Sequence, residues 1–187
     1  MTDLARDPII NVIYNDIKGP IRFLLDNHFE PAAVKLTYAG IDTMAYLGMP
    51  SSQTDVTRED FVKWAERYIH FPCKEQLSGL DLYGARCSVL HAHSSASKLS
   101  RGGKCRMVGY VDQRVPEVAY QPEVSKEFVI VSIRGLVEAF FTGIDWFLID
   151  LFVNREKATV AENRLQNMLH TLPYEHTSQP PTAKTSQ

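Results

Sequence analysis

Apolar positions recur at three- and four-residue steps along most of the chain, and the places where that rhythm stops mark out its elements. Asp7-Pro8 is a helix start, with proline in the first turn where its missing N–H is not needed. Ile9, Ile10, Ile13 and Ile17 follow at helical spacing. Gly19-Pro20 breaks or kinks the run, and Ile21, Phe23, Leu24, Leu25 and Phe29 resume it. Glu30-Pro31 opens a second helix with Ala33, Leu36, Ile41, Met44 and Leu47 on its apolar side and Asp42 next to that side. Gly48 to Ser52 closes it. Thr57-Arg-Glu-Asp60 has the form of a capping box, and Phe61, Trp64, Ala65, Tyr68 and Ile69 continue from it until Phe71-Pro72. Gln76 or Ser78 starts the next helix, which carries Leu80, Leu82, Tyr83, Val89 and Leu90.

After residue 105 the period changes. Met107–Val111, Val118–Tyr120 and Phe128–Val131 are short runs rich in β-branched and aromatic residues, and they predict a small hairpin or three-stranded insert over about 105–131. Helix returns over Leu136–Val153. Arg155–Leu169 reads as a more polar helix or a continuation of it. Residues 171–187 contain prolines and Ser, Thr and Gln with little to bury, which predicts a disordered tail. The expectation is one mainly α domain over residues 1–170 followed by that tail.

Composition narrows the functional classes more than the fold. The 187 residues are 44% hydrophobic and carry a formal charge of −2, so any attraction to nucleic acid has to come from a local patch. Cys73, Cys87 and Cys105 cannot all pair, which points to a reducing compartment. The acidic, h-region-free N-terminus predicts no signal peptide, and the expectation is a cytoplasmic protein. The most apolar run, Gly135–Val153, is interrupted by Glu138, Asp145 and Asp150, so it reads as a buried helix and not a membrane span.

Chemistry concentrates in Gly79–Met107. A helix advances about 100° per residue, which puts Arg86 and His91 about 140° apart and Arg86 and His93 about 20° apart. On a straight helix Arg86 therefore meets His93. It meets His91 only if the helix ends nearby or a second subunit supplies one of the two. The plainer reading is a surface arginine with two histidines at a fraying helix end. The Ser-rich tract that follows holds Lys98, Arg101, Lys104 and Arg106 and no acid. It reads as a mobile loop, either beside a phosphate-handling site or simply solvated.

The segment Leu82-Tyr-Gly-Ala-Arg86-Cys87-Ser-Val-Leu90-His91 resembles the motif of the HEPN superfamily (higher eukaryotes and prokaryotes nucleotide-binding domains). These are helical bundles whose signature is an arginine, four to six residues, then a histidine. Arg86 to His91 fits the shortest spacing and Arg86 to His93 the longest. The resemblance implies a HEPN-like helical bundle with a small β insert, acting as a homodimer with the site at its two-fold interface. It implies a metal-independent endoribonuclease that needs no cofactor. In that role His91 is acid and base, Arg86 stabilises the transition state, His93 supports or substitutes, and Lys98, Arg101, Lys104 and Arg106 track the RNA backbone. RNA supplies its own nucleophile, the 2′-OH, and the products are a 2′,3′-cyclic phosphate and a 5′-hydroxyl. Active members often carry Asn or Asp directly after the arginine, where this chain has Cys87. The alternative is therefore a non-catalytic HEPN-like module for dimerisation, for RNA or nucleotide binding, or for a partner protein.

Other groupings carry less. Cys87 and His91 are about 40° apart, so a thiol–imidazole pair is geometrically allowed, although a small buried thiol is the plainer reading. Cys87, His91, His93 and Cys105 include zinc-ligand types but lack paired Cys-x2-Cys spacing, so no metal is expected. Glu138, Asp145 and Asp42 can hold a metal, orient Arg86, or sit as ordinary carboxylates at helix edges. Trp64, Tyr68 and Trp146 read as core or interface residues. Arg101-Gly-Gly-Lys104 lacks the spacing of a phosphate loop.

Overall fold

A computed structural model describes residues 7–92, 96–112, 117–166 and 168. The chain begins as one helical rod. Asp7 caps α1 (Pro8–Val12), accepting the N–H groups of Ile9 and Ile10. A π-turn (Ile13–Lys18) leads directly into α2 (Gly19–Asp26). Gly19-Pro20 therefore does not break the helix. The Gly19 N–H reaches back to the Tyr14 carbonyl, five residues earlier, and that wider turn absorbs the proline. A Cβ on residue 19 would lie 2.9 Å from the same carbonyl, so this turn needs glycine there.

The predicted second and third helices are present as α3 (Glu30–Gly48) and α4 (Arg58–Tyr68). Thr57 and Asp60 form the expected capping box. Ser78, the later of the two candidate starts, caps α5 (Gly79–Cys87) through a second box with Asp81. A second π-turn (Ser88–Ala92) follows, and a short α6 (Lys98–Arg101) lies beyond it.

The insert is a three-stranded sheet of β1 (Met107–Val111), β2 (Val118–Ala119) and β3 (Phe128–Ser132), in the order β1-β3-β2. β3 runs parallel to β1, with Val108 opposite Val129 and Tyr110 opposite Val131, and antiparallel to β2. Sequence neighbours β1 and β2 do not pair, so the insert is not a simple hairpin. Val108, Val118, Val129 and Val131 are buried in the same core as the helices. The Tyr38 and Tyr110 hydroxyls, 2.8 Å apart, tie α3 to β1.

Ser132 caps α7 (Ile133–Val153), which starts three residues before the predicted Leu136. Asn154 ends α7 and caps α8 (Arg155–Leu165), so the polar segment is a separate helix and not a continuation. The buried Arg164 guanidinium donates to the carbonyls of Met49 and Pro50, fastening α8 to the end of α3. Among the described residues no helix is long and apolar enough to cross a membrane. The predicted tail, 171–187, lies outside the described residues.

Candidate active site around Arg86

Helix α5 is positioned from both ends. At its start Asp81, 3% exposed, accepts from the Ser78 N–H, and also from the Arg106 backbone N–H and guanidinium at 2.6–3.1 Å. Burial alone would raise the pKa of Asp81, but these hydrogen bonds outweigh it and hold the carboxyl below the ordinary range. Along the helix Leu82 and Ala85 are buried, which leaves Tyr83, Arg86 and Cys87 on a half-buried face.

At its end the helix widens. The buried Ser88 hydroxyl donates to the carbonyls of Gly84 and Ala85, a back-bonding arrangement that competes with the regular ladder. The next residues form the π-turn, in which bonds run i to i+5. Five residues then complete about one turn, and His91 comes to stand over Arg86. The Arg86 Nη1–His91 Nε2 distance is 2.9 Å. A straight α-helix could not achieve this. The conditions set by regular helix geometry, a helix end or a second chain, are met here by a widened last turn within one chain.

Across the bundle Asp42 of α3 accepts from Arg86 Nε at 2.9 Å. Their side chains are 23% and 22% exposed, and His91 is exposed. Burial raises the pKa of Asp42, and the Arg86 hydrogen bond and charge, with His91, recover only part of that rise. Burial tends to lower the pKa of Arg86, but Asp42 more than offsets it, so the guanidinium stays charged. A guanidinium only donates, so His91 Nε2 accepts here and the ring proton sits on Nδ1. The Tyr83 ring lies 5.9 Å from the guanidinium carbon. The result is an oriented cation beside an imidazole whose Nε2 lone pair accepts from it, open to solvent on the His91 side.

His93 lies outside the described residues. The basic tract differs from the loop expected of it. Ser97 and Ser100 form a capping box that folds Lys98–Arg101 into a helical turn. Lys98 and Lys104 are exposed, and Arg101 donates to the Ala96 carbonyl. Arg106 leaves the cationic set: besides Asp81, its guanidinium bonds the Gln76 carbonyl and stacks 4.8 Å from the Tyr120 ring. It joins the start of α5 to the sheet. The signal for this was present in Ser78-x-x-Asp81, where a capping acid becomes a buried anion in need of a cation.

Of the remaining candidates, Glu138 is exposed, and Asp145 pairs with the buried Lys18. No group of three or more His, Cys, Asp or Glu suited to a metal occurs among the described residues. Trp64 is in the core and Tyr68 packs against it, while Trp146 faces outward at 58% exposure. The chain matches no protein-family model, no curated protein and no solved structure.

Proposed function

We propose that this HEPN-like chain is a metal-independent endoribonuclease that uses the 2′-OH of RNA as nucleophile. The observation that supports it most is the 2.9 Å contact of Arg86 with His91, made while Asp42 holds the other edge of the guanidinium. His91 Nε2, released from Arg86 by an incoming phosphate, takes the 2′-OH proton. Arg86 stabilises the charge that develops on phosphorus. A protonated imidazole then returns the proton to the leaving 5′-oxygen, giving a 2′,3′-cyclic phosphate and a 5′-hydroxyl. Exposed Lys98 and Lys104 supply backbone contacts, and a homodimer in a cytoplasmic setting is part of this reading.

The test is cleavage of single-stranded RNA in EDTA. Wild type should leave cyclic-phosphate ends, and His91→Ala should lower the rate by about 10²-fold or more. Activity that disappears in EDTA, or that survives the joint loss of Arg86 and His91, overturns the reading. The second reading, a non-catalytic dimerisation or RNA-binding module, is favoured by one observation. Trp146, Ile149 and Val153 form an outward apolar stripe on α7, exposed by 58%, 54% and 84%. It predicts association or salt-sensitive RNA binding without turnover.

A further inference from the structure

We propose that Cys87 and Cys105 are a redox-active thiol pair that closes into an intramolecular disulfide. Both cysteines stand at the same turn of α5, Cys87 within it and Cys105 against Gly84. The Cys105 Sγ sits where a side chain on Gly84 would be, 2.4 Å from an ideal Cβ there, so glycine at 84 is what admits the sulfur to the helix surface. Cys87 is three residues further along, and helix positions three apart have Cβ atoms about 5–6 Å apart. Ser97 borders both: its hydroxyl lies 3.5 Å from the same Gly84 position, and it lines a cavity of about 310 Å³ together with Cys87, Tyr83 and Lys98. Both thiols are free and half-buried. Cys73 is engaged elsewhere, its thiol directed at the Glu75 carbonyl at 3.1 Å.

A disulfide needs Cβ atoms about 3.8 Å apart; the Cys105 Cβ lies 3.7 Å from the Gly84 position, one helical step from Cys87, and the segment carrying Cys105 has the freedom to close the rest. Gly102-Gly103 precedes it, Gly103 has φ +65°, and open space surrounds the position where a Gly103 side chain would be.

Cys87 lines the cavity and is the thiol that hydrogen peroxide reaches first. Its sulfur attacks one peroxide oxygen, the O–O bond breaks, and a sulfenic acid and water are formed. Burial pushes the Cys105 thiol up, which suits the slower, resolving partner. Cys105 attacks the sulfenic sulfur, the S–S bond forms, and the S–O bond breaks. The departing hydroxide and the Cys105 proton leave as a second water. Two thiols and one hydrogen peroxide thus give one disulfide and two waters.

The experiment treats the folded, reduced full chain with hydrogen peroxide, blocks the remaining thiols by alkylation, and maps peptides without reduction. One peptide linked through Cys87 and Cys105 is expected, with alkylated Cys73, a Tm raised by several degrees, and full reversal by dithiothreitol. C87S and C105S should each abolish the linked peptide, and C73S should form it unchanged. Three alkylated cysteines, a bond through Cys73, a bond between two chains, or overoxidised Cys87 without linkage would each overturn the proposal. No readout involves RNA, so this inference and the nuclease reading stand or fall separately.

Discussion

Asp42 and Asp81 are two carboxylates whose pKa values are displaced in opposite directions. The pKa of Asp42 is raised, so its contribution to stability is present in acid and lost as pH rises through its value. The pKa of Asp81 is lowered, so its contribution is present above the ordinary carboxylate range and lost as pH falls through its value. The acid limb of unfolding should therefore follow Asp81. Asp81→Asn leaves Arg106 without its anion and should cost about 3 kcal/mol at neutral pH. Thermal melts should then show Tm lower by about 6–12 °C and a flattened acid dependence. On the proposed nuclease reading Asp42 serves the site instead, through its bond to Arg86. Asp42→Asn should leave the fold intact yet lower kcat for RNA cleavage by about 10²-fold, with KM moved much less, because the guanidinium loses its fixed edge. An unchanged kcat would remove Asp42 from the site.

Helix ends separate what was legible in the chain from what was not. Asp7, Thr57 and Ser78 were readable as starts because all the atoms of a cap lie within about four residues. The turn at Ser88–Ala92 was not, because its widening depends on where the Ser88 hydroxyl finds carbonyls and on how α5 lies against its neighbours. Regular geometry thus placed Arg86 and His91 on different faces although the pair itself had been singled out. A π-turn amounts to an α-turn with one extra residue, and that makes it testable. Deleting Val89 should restore a regular turn and keep the histidine near Arg86, since positions four apart share a face. Inserting one alanine after Val89 makes the spacing Arg-x5-His, which the HEPN signature still allows, and should carry the histidine off Arg86; lower cleavage in that variant would tie the nuclease reading to the Arg86–His91 contact. Circular dichroism of both variants checks that helix content is kept.

For the whole molecule, helices and strands share one core, and one of its tight seams is where α7 crosses α4. A Cβ on Gly143 would lie 2.7 Å from the Tyr68 carbonyl oxygen, and backbone there cannot step aside. Gly143→Ala should cost about 1–3 kcal/mol, measured by urea unfolding. At this scale the three β-like runs were visible in the sequence and their order was not. Side-chain alternation shows that a strand has a buried face, but pairing of Met107 with Phe128 rests on contacts twenty-one residues apart.

That strand order has a consequence for the newborn chain. β1 and β2 leave the ribosome before β3, yet neither has a strand partner until β3 arrives between them. α5 packs on β1, and β3 leads straight into α7. A nascent chain that has emerged only through residue 120 already carries Asp42, Arg86 and His91, but the layer supporting α5 is still unpaired. Synthesis thereby delays completion of the Arg86 neighbourhood until the second half of the protein is made, and a chain stopped before Phe128 should expose a sticky valine edge in place of a finished site.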